Sequence, residues 1–93
     1  MKGSTNQDSL KLNHSAEEFY SNGVAKGNLK DFKGANAYFT KAIEINTEYA
    51  LSYYNRGLAY FTLGQKKKGC LDYIKAGKLG FDIAIKSIKK YFR

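Results

Sequence analysis

The chain has 93 residues, of which 43% are hydrophobic and 15% aromatic, and a net charge of +8. That leaves room for one domain, and the supply of core-forming side chains excludes a disordered chain. The single Cys70 excludes an internal disulfide and any cysteine-based zinc set, the first residues lack the apolar stretch of a secretion signal, and no apolar run approaches the roughly 18 residues of a membrane span, so a soluble, cytoplasmic protein is expected.

Residues 1–14 read as a flexible polar leader and residues 15–93 as a single domain. Pro is absent and Gly occurs nine times, which predicts helices broken by short glycine turns. Ser15 followed by Glu18 has the form of a capping box, and the first helix runs from there to Leu29. Asp31 is placed as N-cap of a second helix, with Phe32, Ala35, Phe39, Ala42 and Ile43 along one stripe. Thr47 is expected to cap a third helix reaching Leu63. This helix is apolar on two faces, Tyr53, Gly57 and Tyr60 on one and Leu51, Tyr54, Leu58 and Phe61 on the other, so it wants neighbours on both sides. Gly64 supplies the turn into the fourth helix. Residues 81–92 form a last amphipathic helix with Phe81, Ala84, Ile85, Ile88, Tyr91 and Phe92 on one face and Lys86, Lys89 and Lys90 across from them; Ile83 alone among the apolar residues points toward the basic side.

The stretch LGQKKKGC, residues 63–70, has the glycine spacing of a phosphate-binding loop. Such a loop needs Lys and then Ser or Thr after its second Gly, and a strand before its first. Cys70 and Leu71 stand at those places and a helix precedes Gly64, so the nucleotide reading fails. Gly69 then lies inside the fourth helix, at a cost of roughly 1 kcal/mol relative to Ala. Three Lys near that helix's positive end are also unfavourable. A poorly optimised second unit is the expectation.

Residues 19–46 laid over 53–80, a shift of 34 without gaps, match identically at Tyr20 with Tyr54, Gly23 with Gly57, Ala25 with Ala59, Leu29 with Leu63, Lys33 with Lys67, Lys41 with Lys75 and Ala42 with Ala76. Phe19 faces Tyr53 and Phe39 faces Tyr73. The chain is therefore two copies of a helix-turn-helix unit, about 16–49 and 50–80, closed by a capping helix of about 81–92. Gly23, Ala25, Gly57 and Ala59 are expected to let helix axes approach closely.

Phe19, Gly23, Ala35, Phe39 and Ala42, with Tyr53, Gly57, Tyr60, Gly69, Tyr73 and Ala76 in the second unit, resemble the tetratricopeptide repeat. Neither closing Pro is present, Asn22 and Arg56 stand where the family has Leu, and Lys26 occupies an aromatic position. The resemblance implies an all-α fold of five helices, antiparallel pairs stacked as a short right-handed solenoid. It also implies a non-catalytic module that binds a peptide or protein segment in a concave groove. Carried over by position, that groove holds Tyr20, Val24, Leu51, Tyr54, Asn55, Leu58, Phe61 and Thr62. Of the family's carboxylate-clamp positions only Asn55 matches; Tyr20 and Val24 replace the first pair, and Ile85 and Lys89 take the third-repeat places. Leu51, Tyr54, Leu58 and Phe61 have a second reading, as packing beneath the terminal helix.

No catalysis, metal or cofactor is expected. His14 sits in the leader, Cys70 has no His near it in sequence, and neither Glu17 with Glu18 nor Asp72 with Asp82 has the spacing of an acid–base pair. Residues 66–93 carry nine basic and two acidic groups, +7 of the total +8. Nucleic-acid binding through Lys66, Lys67, Lys68, Lys86, Lys89 and Lys90 is the rival to protein binding, with ordinary solvated lysines as its bland counterpart. A homodimer covering exposed aromatic surface is a third option, because two repeats are fewer than an independent array wants. Membrane binding is not expected.

Overall fold

The computed structural model describes residues 15–91, leaving aside the side chain of Tyr91; the leader 1–14 with His14, and Phe92 of the capping helix, lie outside the described residues. These residues form five helices and no strand: α1 (Ala16–Asn28), α2 (Phe32–Ile45), α3 (Ala50–Thr62), α4 (Lys66–Lys78) and α5 (Asp82–Tyr91). Each helix packs on the next in the chain, and α1 also touches α3. No helix among the described residues is long and apolar enough to cross a membrane.

The helix ends follow from local chemistry. Ser15 Oγ accepts from the Glu18 N–H at 3.1 Å while Glu18 Oε1 accepts from the Ser15 N–H at 3.1 Å, completing the capping box. Asp31 caps α2 by accepting from the Gly34 N–H at 2.9 Å. The ends of α1, α3 and α4 share one turn, in which Asp31, Gln65 and Phe81 donate their N–H to the carbonyls of Lys26, Tyr60 and Ala76. This turn requires a left-handed residue, filled by Lys30 (φ 66°), Gly64 (φ 82°) and Gly80 (φ 104°). Thr47 is not the cap expected for α3. Asn46 Oδ1 accepts from the Glu48 N–H at 3.0 Å, so the chain first makes an asparagine-headed turn, and the helix begins at Ala50 with Tyr49 as its N-cap.

The two helix pairs are held by equivalent contacts. A methyl group built on Gly23 would lie 2.5 Å from the Phe39 ring, and one on Gly57 would lie 2.6 Å from the Tyr73 ring, the same pair 34 residues later. Gly69 also has a structural reason. A methyl group there would stand 2.9 Å from the Gly57 carbonyl oxygen and 3.1 Å from the Phe61 ring, so this glycine is the contact through which α3 and α4 approach. The expectation of a poorly optimised second unit is overturned at this residue. Ala59 is buried, but its counterpart Ala25 is exposed.

One apolar cluster joins Tyr73, Ala76 and Ala84, with Tyr53, Tyr54, Phe61, Phe81 and Ile88 packed against it. Tyr54 stacks on Tyr73 at 4.8 Å and meets Phe81 edge-on at 4.9 Å. Ala84 and Ile88 turn inward from α5, and Ile83 and its lysines turn outward.

Arg56 builds a polar junction that the repeat pattern does not announce. Its Nε and Nη2 donate to both Asp72 carboxylate oxygens at 2.7 and 2.8 Å, and Nη1 donates to Thr40 Oγ1 at 3.1 Å, tying α3 to α4 and α2. The guanidinium lies 5.7 Å from the centres of both the Tyr53 and Tyr60 rings. Hydrogen bonding to Asp72 raises the Arg56 pKa, outweighing the burial that pulls it down. In the first unit Asn22 stands at the place of Arg56 and Tyr38 at that of Asp72, so the pair of charges that makes the junction is not repeated there.

Candidate functional site

The residues expected to line a groove divide between two environments. Tyr54 and Phe61 turn onto Tyr73 and serve the core; the Phe61 ring meets Tyr73 edge-on at 4.9 Å. Leu51 and Leu58 remain 40% and 39% exposed, and Thr62 is exposed with its Oγ1 donating to the Leu58 carbonyl at 3.0 Å. Tyr20 is half-buried, its ring 5.8 Å from Phe39 and 5.2 Å from Tyr49, and its hydroxyl accepts from Asn55 Nδ2 at 2.8 Å. That bond joins α1 to α3 and occupies one amide donor of the single matched clamp position. Burial, together with Glu17 and Tyr20 nearby, raises the pKa of Tyr49.

Val24, Asn55 and Leu58 come together in a cleft of about 180 Å³ where α1, α2 and α3 meet. Gly23, Gly27, Asn28, Phe32, Ala35, Phe39 and Ala59 complete its walls. The walls are mostly apolar and carry no charged side chain; Asn28 and Asn55 supply the polar side-chain atoms. The volume is well below the about 300–1,000 Å³ of pockets for drug-sized molecules, which suits a single bulky side chain. Gly27 and Asn28 were not among the expected groove residues. Both stand 34 positions before Phe61 and Thr62, so the repeat register points to them.

The six lysines expected to form a basic patch lie outside the walls of this cleft. Lys66, Lys67, Lys68, Lys86, Lys89 and Lys90 are all exposed. Lys68 lies 5.7 Å from the centre of the Tyr60 ring, and Lys75 lies 5.9 Å from that of Tyr53. The two rings that Arg56 approaches thus each have a lysine beside them as well. Among the described residues no group of three or more His, Cys, Asp or Glu side chains is arranged to hold a metal ion.

No protein-family model matches the chain. It is similar to an uncharacterized protein of Methanocaldococcus jannaschii, at 44% identity over 50 residues that make up 54% of this chain and 58% of that protein. The chain thus spans somewhat more than half the length of this relative.

Proposed function

We propose that this chain is a tetratricopeptide-like interaction module that binds a peptide or protein segment, without chemistry, on the face where α1 and α3 lie side by side. The observation that carries this reading is the uncharged apolar cleft lined by Val24, Asn55 and Leu58. The neighbouring Leu51, exposed on the same helix, supports it. The repeated Gly23–Phe39 and Gly57–Tyr73 contacts support the family resemblance, since both pairs fall at positions where the family places a Gly and an aromatic. Binding here draws on apolar burial, about 25 cal/mol per Å², against the ordering of the incoming segment.

Selection of displayed random peptides on the chain tests the reading. Peptides recovered on the wild type should contain a bulky apolar residue and lose at least tenfold affinity for Leu58→Glu, with circular dichroism confirming that the variant is helical. Affinity should depend little on salt. Peptides that bind Leu58→Glu equally well, or whose binding falls steeply with salt as phosphate-type contacts do, would overturn it.

A further inference from the structure

We infer that the cleft at Gly27 is a socket for one aromatic side chain of the bound segment, an inference that rests on the reading above and narrows it. The chain contains its own template. Position 27 corresponds to position 61 in the second unit, and there the side chain is Phe61, whose ring lies edge-on against Tyr73 and above Gly69. In the first unit the ring against which it would rest is present as Phe39, but Gly27 supplies no ring.

A methyl group built on Gly27 meets nothing within 4 Å, whereas methyl groups on Gly23, Gly57 and Gly69 all collide. The open volume is thus where the second unit keeps a phenyl ring. Ala35 stands in the place of Gly69 and takes back one methyl group's worth of space, so an incoming ring sits slightly shallower than Phe61 does.

The chemistry of the walls selects the occupant. Phe32 and Phe39 present rings to an edge-on or offset partner, and Val24, Ala35, Leu58 and Ala59 are aliphatic. A charged side chain entering this uncharged lining would lose its hydration without a counter-ion. An aromatic ring gains both apolar burial and ring contacts. Asn28 is positioned among the walls to meet a polar group carried beside the ring, and Asn55, already bonded to Tyr20, retains its amide oxygen as an acceptor.

The test fills the socket from within. Gly27→Phe should copy the second unit, raise the Tm by a few degrees and remove at least tenfold of the affinity for display-selected peptides. Gly27→Leu, a smaller filler, should do the same to a lesser degree. As an independent readout, N-acetyl-phenylalaninamide titrated into the full chain should shift the backbone NMR signals of Gly27, Ala35 and Ala59, and N-acetyl-lysinamide should not; in Gly27→Phe the shifts should vanish. Selected peptides that depend on Leu58 but bind both filled variants with unchanged affinity would overturn the socket and leave the groove reading standing. Shifts from the phenylalanine probe with no selectable peptide would uphold the socket and overturn the groove reading. Gly27→Phe and Gly27→Leu both unfolding the chain, with no probe shifts in the wild type, would overturn the socket.

Discussion

Gly69→Ala separates two opposed accounts of the same residue. Helix propensity alone assigns it a gain of roughly 1 kcal/mol, because glycine inside a helix costs about that much relative to alanine. The structure assigns a loss. The new methyl group would stand 2.9 Å from the Gly57 carbonyl oxygen, a backbone atom, and 3.1 Å from the Phe61 ring, where ordinary contact begins at 3.4 Å. Helices α3 and α4 must therefore separate by about 0.5 Å at a place packed with Tyr73 and Phe61, and overpacking of this kind costs about 1–3 kcal/mol. After subtracting the propensity gain, the net loss is about 1–2 kcal/mol at the stronger end of that range. With about 4–8 °C per kcal/mol for a domain of this size, Tm should fall by about 4–16 °C. Thermal unfolding followed by circular dichroism at 222 nm measures this, with Gly27→Ala as the matched control. A methyl group on Gly27 meets nothing within 4 Å, so that variant should gain about 0.5–1 kcal/mol. The reasoning is refuted if Gly69→Ala holds or raises the Tm, or if the two variants move in the same direction.

Lys30→Gly should stabilise the chain by about 0.5–1 kcal/mol, because Lys30 occupies a left-handed turn position that Gly64 and Gly80 fill elsewhere; an unchanged or lower urea midpoint would count against it. Asp72→Ala should cost about 3 kcal/mol by leaving Arg56 without its bidentate partner, whereas Arg56→Met combined with Asp72→Leu should lie nearer the wild type; a double variant as unstable as the single one would contradict this account. Burial and Glu17 make folded Tyr49 hold its proton more tightly than the unfolded chain, whose phenol titrates near 10.0. The contribution of Tyr49 is thus complete below pH 10 and lost as pH rises through the higher folded value. Urea midpoints should decline above pH 10, and Tyr49→Phe should flatten that decline; identical profiles would sink the argument.

Periodicity made the helices legible because it records what a helix buries and because capping is local. Ser15 with Glu18, Asp31 and Gly64 act within a few residues of themselves, so their roles follow from neighbours in the chain. The 34-residue register likewise pairs Gly23 with Phe39 and Gly57 with Tyr73 as equivalent contacts, since identical residues at equal spacing meet the same neighbours. Thr47 was misplaced as a cap because Asn46 competes for the same stretch of backbone, and only the folded turn decides between them.

The candidate site was half legible. Val24, Asn55 and Leu58 were carried over from the family resemblance, which also placed Tyr54 and Phe61 beside them; of the two readings open for those aromatics, the tertiary structure takes the packed one and turns both onto Tyr73. Whether an aromatic side chain on α3 faces a groove or a core depends on how closely α4 approaches, and Gly57 and Gly69 set that distance across 12 residues of chain. The Arg56–Asp72–Thr40 junction escaped for the same reason: each member is an unremarkable polar residue until three helices bring them within hydrogen-bond reach. Sequence alone determined which segments are helical and that they come in two copies, because those properties depend on short-range spacing. Only the tertiary structure decided which faces meet and that the space beside Gly27 stays open, because these depend on distances between separate helices.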